Sequence, residues 1–316
     1  MGTKRIYQGA NFSASNLGRS ERLISAGIVA SASTTSGSNV LTNVTIATGT
    51  AAAGQTITGL GIPDGTTITN ATTPGQLTIS VNATATATGV TVQSTSRTGI
   101  VGEYLFGRDA NTSKINLAGG PPLTFVGSPI FAPRSATLSQ NNWADTSIYD
   151  SQELTMLIVC AVPTGTGAYF IGNYNNSNNT DTTTFELTSS LLSAITSAND
   201  NTQEAFTNVA ARTPLTDYTI KAIRTTGAAS FIAKIDEYRA GARMGGSSKT
   251  STKTRKVTTS AAIAIGSARG SSGFAGTIQC AGAAIWSRAL SDAEMVAEAA
   301  AITAKMAAWP QQAIVT

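Results

Sequence analysis

The chain has 316 residues, 12% of them charged, with a formal net charge of +4 and no histidine. The charged fraction is about half of that in an average globular protein, which excludes a highly charged disordered chain. The small positive charge does not favour nucleic-acid binding, which needs a concentrated basic surface. Because histidine is absent, the usual Ser–His and Cys–His catalytic pairs and the commonest metal ligand are excluded.

Residues 1–22 form a polar leader with several basic residues. No apolar stretch follows that has the length of a secretion signal or a bilayer span, so we expect neither signal peptide nor membrane insertion. We expect this leader to be an arm that docks on another protein.

Residues 23–98 have very low charge, and Asp64 is the only acidic residue among them. A Pro-Asp-Gly turn signal at residues 63–65 is followed by β-branched residues. From residue 77 to residue 88, apolar and polar side chains, mostly hydroxyls, alternate strictly, which predicts one half-buried strand. Gly89 then predicts a bulge or turn. We therefore predict a small Thr- and Ala-rich antiparallel β module over residues 23–98.

Residues 59–68 and 77–88 of this module resemble a segment found in many bacteriophage virion proteins. In that segment a G-x-G-I-P-x-G-T-T-I turn precedes an L-T-I-S-x-x-A-T-A-T strand. The resemblance implies a protein of the virion surface, assembled in the host cytoplasm, whose arm and module contact other virion proteins. The analogy with virion fibres further implies a homo-oligomer, for which we expect a trimer.

From residue 99 onward, short strands separated by Gly, Asn and Ser clusters recur at the spacing of a β-sandwich. Residues 153–162 form a long apolar run, which predicts a central strand covered on both faces. Cys160 lies in this run, and Cys280 lies in another apolar run. The cysteines are either two buried thiols or a disulfide between neighbouring strands, and they are too few for a zinc site.

The last strand and the residues after it carry a second resemblance. They are similar to the end of LamG-like, concanavalin A-type jelly-roll domains, with the matching residues Phe274, Gly276, Ile278, Ile285, Trp286, Arg288, Leu290, Ser291 and Glu294. Residues 99–109 look like the first strand of such domains. The resemblance implies a jelly-roll domain over residues 99–316. The predicted fold is therefore all-β, a small antiparallel β module followed by a concanavalin A-like sandwich with a C-terminal helix.

The C-terminal helix is predicted over residues 291–309. Ser291 and Glu294 have the spacing of a capping box, and Pro310 ends the helical pattern. An apolar stripe runs along this helix at Met295, Ala299, Ile302, Met306 and Trp309. The stripe either packs on the chain's own sandwich or forms a seam between subunits.

Catalysis is not expected. Glycosidases need two carboxylates about 5 to 9 Å apart across the scissile bond, and glucanases of the concanavalin A-type fold carry them on an E-x-D-x-E-like strand. No such triplet occurs among the 17 acidic residues. Asp236 and Glu237 are adjacent, so on a strand they point to opposite faces. We predict that the protein is not an enzyme.

Binding of sugars does not require the paired carboxylates that catalysis needs. Two polar stretches carry aromatic residues and are candidate carbohydrate-binding segments, since such side chains bind sugar hydroxyls and apolar sugar faces. The candidates are Asn141, Asn142, Trp143, Asp145, Tyr149, Tyr174, Asn175 and Asn176. Candidate calcium ligands in these stretches are Asp145, Asp150 and Asp181. No other cofactor is expected. The alternative is that both stretches are solvated loops without a ligand.

A basic cluster offers a charge contact to phosphate-bearing glycans of a bacterial surface. Its members are Arg243, Lys249, Lys253, Arg255 and Lys256. The alternative is a solvated hairpin whose lysines protect an edge strand from pairing with another chain.

These features together predict a virion structural protein of the external fibre or adhesin type, which binds host surface polysaccharide without turnover. The main alternative is a capsid or tail decoration protein whose jelly roll only joins its neighbours. A weaker alternative is a polysaccharide depolymerase spike. Adhesion requires a polar site that is free of protein contacts, whereas decoration requires surfaces that are covered by other subunits.

Overall fold

The computed structural model describes most of the chain between residues 23 and 307, and the predicted arm over residues 1–22 lies outside it. The described residues are 23–24, 27–48, 51, 53, 55–63, 66–95, 99–163, 167–173, 183–188, 191–197, 203–208, 217–227, 230–257, 259–267, 269 and 275–307. Within them the protein is all-β, with antiparallel sheets and a helix at the C-terminal end, which confirms the predicted fold class. None of the helices in this part has the length and apolar character needed to cross a lipid bilayer.

The strands between residues 28 and 95 form a sheet of their own. They are β1 (Ile28–Thr34), β2 (Val40–Thr48), β3 (Thr56–Gly59), β4 (Ile68–Asn70), β5 (Leu77–Ile79) and β6 (Ala87–Thr95). Their spatial order is β3-β6-β1-β2-β5-β4. The ends of this order are also joined, because Ile57 N–H donates to Thr66 O and Ile68 N–H donates to Gln55 O, both at 2.9 Å. In its described residues the module is therefore a small closed barrel.

The barrel encloses an apolar core of its own, formed mainly by Ile28, Ala30, Leu41, Ile57, Ile68, Leu77, Ile79 and Val92. Each strand supplies alternate residues to this core and turns the residues between them, mostly Thr and Ser, outward. The low charge and the high hydroxyl content of the module follow from this arrangement.

The prediction of one strand over residues 77–88 was wrong. β5 ends at Ile79, β6 begins at Ala87, and the residues between them form an irregular connection with bends. Ala83 is buried there and its N–H donates to Ser38 O at 2.8 Å, so this connection folds back onto the barrel. The predicted bulge at Gly89 is confirmed, since the pairing of β1 with β6 shifts register beside it and Gly89 has a φ of 65°.

Two sheets form the sandwich after the barrel. The helix-side sheet contains β7 (Ile100–Leu105), β9 (Ile130–Ala132), β10 (Ser135–Ser139), β12 (Leu154–Ala161), β17 (Thr219–Thr226), β18 (Ile232–Arg239), β19 (Ala242–Thr250) and β21 (Thr277–Trp286). The far sheet contains β8 (Thr124–Val126), β11 (Trp143–Asp145), β13 (Ala168–Gly172), β14 (Thr183–Thr188), β15 (Leu191–Ser197), β16 (Gln203–Asn208) and β20 (Ala264–Ile265). A short helix, α1 (Ala110–Ser113), follows β7.

The strand orders place β12 and β21 at the centre of the sandwich. The helix-side sheet has the order β19-β18-β17-β12-β21-β10-β9, with β7 also paired to β21, and the far sheet has the order β16-β15-β14-β13-β20-β11-β8. The main core fills the space between the sheets, and β12 is buried at every position. Met156 and Ile158 face the main core, while Leu157 and Val159 face the opposite side. This confirms the prediction of a strand covered on both faces.

Helix α2 (Asp292–Ala307) covers the outer face of the helix-side sheet. The predicted capping box is present, since Ser291 Oγ accepts the Glu294 N–H at 3.2 Å and Ser291 N–H donates to Glu294 Oε2 at 2.8 Å. The stripe packs on the chain's own sheet rather than forming a seam, because its described members are fully buried in one cluster with Leu157 and Val159. Those members are Met295, Ala299, Ile302 and Met306. Trp309 lies outside the described residues.

Leu23 and Ile24 belong to the same outer layer, although the sequence predicts them at the start of the module. Both are buried in the cluster that contains Trp286 and the helix stripe. Ile24 N–H donates to Glu103 Oε1 at 3.0 Å, and Lys305 Nζ donates to Leu23 O at 2.9 Å. The chain is therefore anchored on the sandwich before it enters the barrel.

Candidate functional site

The first predicted carbohydrate-binding segment lies on β11 and the turns beside it. Trp143 and Asp145 share the face of β11 that points away from the main core, since Ala144 between them belongs to that core. Trp143 is only 9% exposed, and the Arg269 guanidinium lies 4.9 Å from the centre of its ring. Arg269 also donates to Asp145 at 2.6 Å. The indole already stacks on a cation and is not an open surface for a sugar.

The other residues of this segment divide between turn formation and exposure. Asn142 holds the turn between β10 and β11, since its Oδ1 accepts the Ser128 N–H at 2.7 Å and its Nδ2 donates to Ser139 Oγ at 3.2 Å. Asn141 is exposed, and Tyr149 is 52% exposed. Among the predicted sugar-binding residues of this segment, Asn141 and Tyr149 are therefore the most exposed, while Asn142 and Asp145 are only partly exposed.

The structure corrects two predictions, the one of Asp150 as a calcium ligand and the one of Arg255 as a basic surface contact. Arg255 Nη2 donates to the two Asp150 carboxylate oxygens at 2.6 and 2.7 Å, and both side chains are fully buried. Arg255 is therefore no basic surface contact, and the Asp150 carboxylate is engaged by a guanidinium. Asp145 is likewise paired with Arg269. In the part of the chain that the structure covers, no three Cys, Asp or Glu side chains meet in an arrangement suited to a metal ion.

The remaining members of the basic cluster lie on β19 and in the loop after it. Arg243 is half exposed, and its Nε donates to Asp236 Oδ1 at 2.6 Å. Lys249, Lys253 and Lys256 are partly exposed. Because β19 stands at the end of the strand order, this placement favours the alternative in which basic residues protect an edge strand. Tyr174, Asn175, Asn176 and Asp181 lie outside the described residues, and the predictions about them stay predictions.

A cleft of about 770 Å³ lies between the barrel and the start of α2. Its barrel side carries four threonines, here called the threonine wall, at the positions Thr56, Thr58, Thr67 and Thr69. They flank the buried residues Ile57 and Ile68, so strand alternation turns them outward. Thr56 and Thr67 lie opposite each other in a direct bridge between the two strand segments. The result is a regular array of hydroxyl and methyl groups.

The sandwich side of the cleft is formed by the corner between β21 and α2, with Arg288, Ser291, Ala293 and Glu294. Arg288 donates to both carboxylate oxygens of Glu294, at 2.6 and 3.0 Å. Glu294 Oε2 also accepts the Ser291 N–H of the capping box. Arg288, Ser291 and Glu294 are among the residues that carry the resemblance to a jelly-roll terminus, and the structure shows that they line the cleft as well.

The chemistry of this cleft suits an uncharged polyhydroxylated ligand. Threonine hydroxyls donate and accept hydrogen bonds, and threonine methyl groups contact apolar sugar faces. The positive charge of Arg288 is neutralised by Glu294, so the cleft does not favour an anion. Its volume lies within the range of about 300 to 1,000 Å³ typical of ligand pockets, which occur preferentially at domain interfaces. The repeated Thr-Ile-Thr at residues 56–58 and 67–69 is the sequence signal that indicates this wall.

A smaller groove of about 280 Å³ lies on the other side of the first turn of α2. Arg224 and Lys234 line it, but both contact the Asp292 carboxylate, at 2.8 and 3.2 Å. Burial would raise the pKa of Asp292, but hydrogen bonds and charge from Arg224 and Lys234 outweigh burial and lower it. The two cationic side chains of this groove are therefore already paired with the Asp292 carboxylate.

The sequence matches no known family model and no curated protein. Solved structures show a remote likeness. The binding domain of Paraclostridial Mosquitocidal Protein 1 has 14% identity and a TM-score of 0.49, over 66% of this chain and 53% of that chain. The botulinum neurotoxin serotype D binding domain has 7% identity and a TM-score of 0.48, over 66% and 52%.

A third solved structure, the binding domain of botulinum neurotoxin DC in complex with SialylT, has 10% identity and a TM-score of 0.46, over 65% of this chain and 52% of that chain. The chain thus spans about half the length of the solved structures it matches. A likeness at this level assigns neither a family nor a ligand to the chain.

Proposed function

We propose that this chain is an external structural protein of a bacteriophage virion, which binds a neutral host-surface glycan in the cleft between barrel and sandwich. The observation that carries this proposal is the threonine wall, which faces the Arg288–Glu294 pair across a cleft of about 770 Å³. The sequence resemblances at residues 59–88 and 274–294 support the virion assignment and the jelly-roll domain. The protein binds its ligand without turnover and acts on the virion surface.

Binding in this cleft uses the two walls differently. A sugar ring lies along the threonine wall, where methyl groups cover its apolar face and hydroxyls exchange hydrogen bonds with its own. From the other side, the partly exposed Arg288 guanidinium presents N–H donors to adjacent sugar hydroxyls, while the buried Glu294 carboxylate holds it in place. Each such hydrogen bond contributes about 0.5 to 1.5 kcal/mol net, so one cleft binds weakly. A trimeric fibre compensates by engaging a polymeric glycan at several clefts at once.

The alternative of a decoration protein is supported by exposed apolar side chains on the barrel. The outside of the barrel exposes several large apolar side chains, namely Val29, Ile46, Leu60 and Val81. Such residues suit contact with a neighbouring virion protein. In that case the barrel joins subunits and the cleft has no glycan ligand.

A glycan array tests the proposal, with the full-length protein and neutral and acidic bacterial polysaccharides. We expect saturable binding to neutral glycans. The double variant Thr58→Val/Thr69→Val keeps the shape of the wall but removes two exposed hydroxyls, and it should weaken binding about 5- to 160-fold, by loss of two hydrogen bonds.

Thr45→Val is the matched control, since Thr45 is exposed on β2 and does not line the cleft. It should bind like the unchanged protein. Absence of glycan binding by folded protein, or equal binding by the double variant, would contradict the proposal. Binding to purified virions without glycan binding would instead support the decoration alternative.

A further inference from the structure

Cys160 and Cys280 lie directly opposite each other on the two central strands of the helix-side sheet. Cys160 belongs to β12 and Cys280 to β21, and the register of these antiparallel neighbours pairs the two residues. Both are free thiols and both are fully buried. The sequence leaves open whether the two cysteines lie on neighbouring strands, and the register shows that they do.

A β-bulge brings the two thiols onto the same face of the sheet. Val159 pairs with Gly282, but the next residue, Cys160, pairs with Cys280 and not with Ala281. Ala281 faces the outer layer under α2, whereas both cysteines belong to the main core. In a regular ladder Cys160 would stand opposite Ala281. The extra residue in β21 therefore creates the direct pairing of the two cysteines on one face of the sheet.

Directly opposed residues of antiparallel strands have Cα atoms about 4.5 to 5.5 Å apart. Disulfides span Cα separations of about 4.4 to 6.8 Å. We propose that Cys160 and Cys280 form a cross-strand disulfide when the folded protein meets a low-molecular-weight disulfide such as oxidised glutathione. This covalent site is independent of the proposed glycan cleft.

The reaction is a two-step thiol–disulfide exchange. One cysteine loses its proton, and its thiolate attacks a sulfur of oxidised glutathione and releases one glutathione thiolate. The second cysteine then loses its proton, attacks the mixed disulfide and releases the second glutathione. The two cysteines lose two electrons and two protons in total, and the oxidant becomes two reduced glutathione molecules.

Burial makes this exchange slow. Desolvation raises the pKa of Cys160 to about 11 and that of Cys280 well above its ordinary value, so few thiolates exist near neutral pH. The pair lies near strand ends, since Cys160 is followed by the last residue of β12 and Cys280 stands near the start of β21. Because both residues are fully buried, oxidised glutathione reaches them only when these strand ends open locally. The thiols therefore stay reduced in a reducing cytoplasm and oxidise later in an oxidising surrounding.

The test uses the full-length protein, purified reduced and then incubated with oxidised glutathione. Mass spectrometry of the intact protein should show the loss of two hydrogens, and peptide mapping should find Cys160 joined to Cys280. Oxidation should raise the melting temperature by about 5 °C or more, because the cross-link closes a long loop, and dithiothreitol should reverse the shift. Cys160→Ala and Cys280→Ala control for the pair, since neither should show the shift.

Two results would overturn the proposal. One is the persistence of two free thiols per chain after prolonged oxidation, measured by alkylation in denaturant. The other is a stable glutathione adduct on one cysteine without the internal bond. Because peptide mapping is done on the unchanged protein, both results remain readable even if the alanine variants fold poorly.

Discussion

The guanidinium of Arg255 is held inside the protein by the carboxylate of Asp150, from which it is separated by 105 positions in the sequence. Both side chains are fully buried. Arg255 also donates to the backbone carbonyls of Ser151 and Gln152. The pair therefore ties the loop after β19 to the loop that enters the central strand β12.

Removal of one partner of this pair should be strongly destabilising. Arg255→Ala leaves the Asp150 carboxylate buried without its counter-charge, and we expect a loss of about 3 to 5 kcal/mol in the free energy of unfolding. The double variant Asp150→Ala/Arg255→Ala should lose less than the sum of the two single losses, because no charge is left unpaired. Urea denaturation of the four proteins measures both quantities. Additive losses would show that the two residues act independently.

The capping box at the start of α2 should contribute measurably to stability. Ser291→Ala removes the Oγ that accepts the Glu294 N–H, and it should cost about 1 kcal/mol in the free energy of unfolding. Ser291→Asp keeps an acceptor at this position and should recover most of the loss. Equal loss in both variants would show that the hydroxyl contributes by packing and not by capping.

The Asp292 carboxylate should make stability depend on pH in the acid range. Burial would raise its pKa, but the contacts with Arg224 and Lys234 outweigh burial and hold the pKa below its ordinary value. The charged carboxylate therefore stabilises the protein above the pKa of an unfolded aspartate, about 3.9, and this contribution disappears as the pH falls through the lower native pKa. Asp292→Asn should be less stable than the unchanged protein at pH 7.

The difference between Asp292→Asn and the unchanged protein should shrink as the pH falls below the pKa of an unfolded aspartate and through the lower native pKa. Because the Asp292 side chain is largely exposed, the difference at pH 7 is expected to be small. Urea denaturation between pH 7 and pH 2 measures it. A difference that is constant over this range would exclude ionisation as its cause.

The variant Trp143→Ala distinguishes a glycan-binding site on the far sheet from one in the cleft. Trp143 is buried beneath Arg269, so this variant should lose about 3 kcal/mol or more in the free energy of unfolding. Its affinity for glycans should be unchanged, since Trp143 does not line the cleft. Tyr149→Ala is the control, because it removes an exposed aromatic side chain from the same segment, and it should change the free energy of unfolding little. A folded Trp143→Ala protein that no longer binds glycans would place the site on the far sheet.

The sequence predicts local features of this fold well and long-range features poorly. The capping box of Ser291 and Glu294 is readable because its two residues lie within one helical turn. The prediction of a strand over residues 77–88 fails because alternation of Ala with polar residues does not distinguish a strand from an irregular connection that folds back onto a barrel.

The candidate site shows the same limit. Its walls combine Thr56 and Thr58 with Arg288 and Glu294, which lie more than 200 positions away in the chain, so no local pattern reveals the cleft. The chemistry of a polar side chain also leaves its role open. The carboxylate of Asp150 suits a calcium ion as well as a guanidinium, and only the packing of a distant loop decides between them.

The path of the chain into and out of the barrel bears on whether the barrel can be removed. Ile28 at the start of β1 pairs with Ser94 near the end of β6, so the barrel begins and ends at adjacent points. Leu23 before it and Ile100 after it are already part of the sandwich. The barrel thus leaves and rejoins the sandwich at adjacent points, and we expect that a short turn can replace it without moving a sandwich strand. Such a replacement would remove the threonine wall and with it one whole side of the cleft, while the Arg288–Glu294 corner would stay in place.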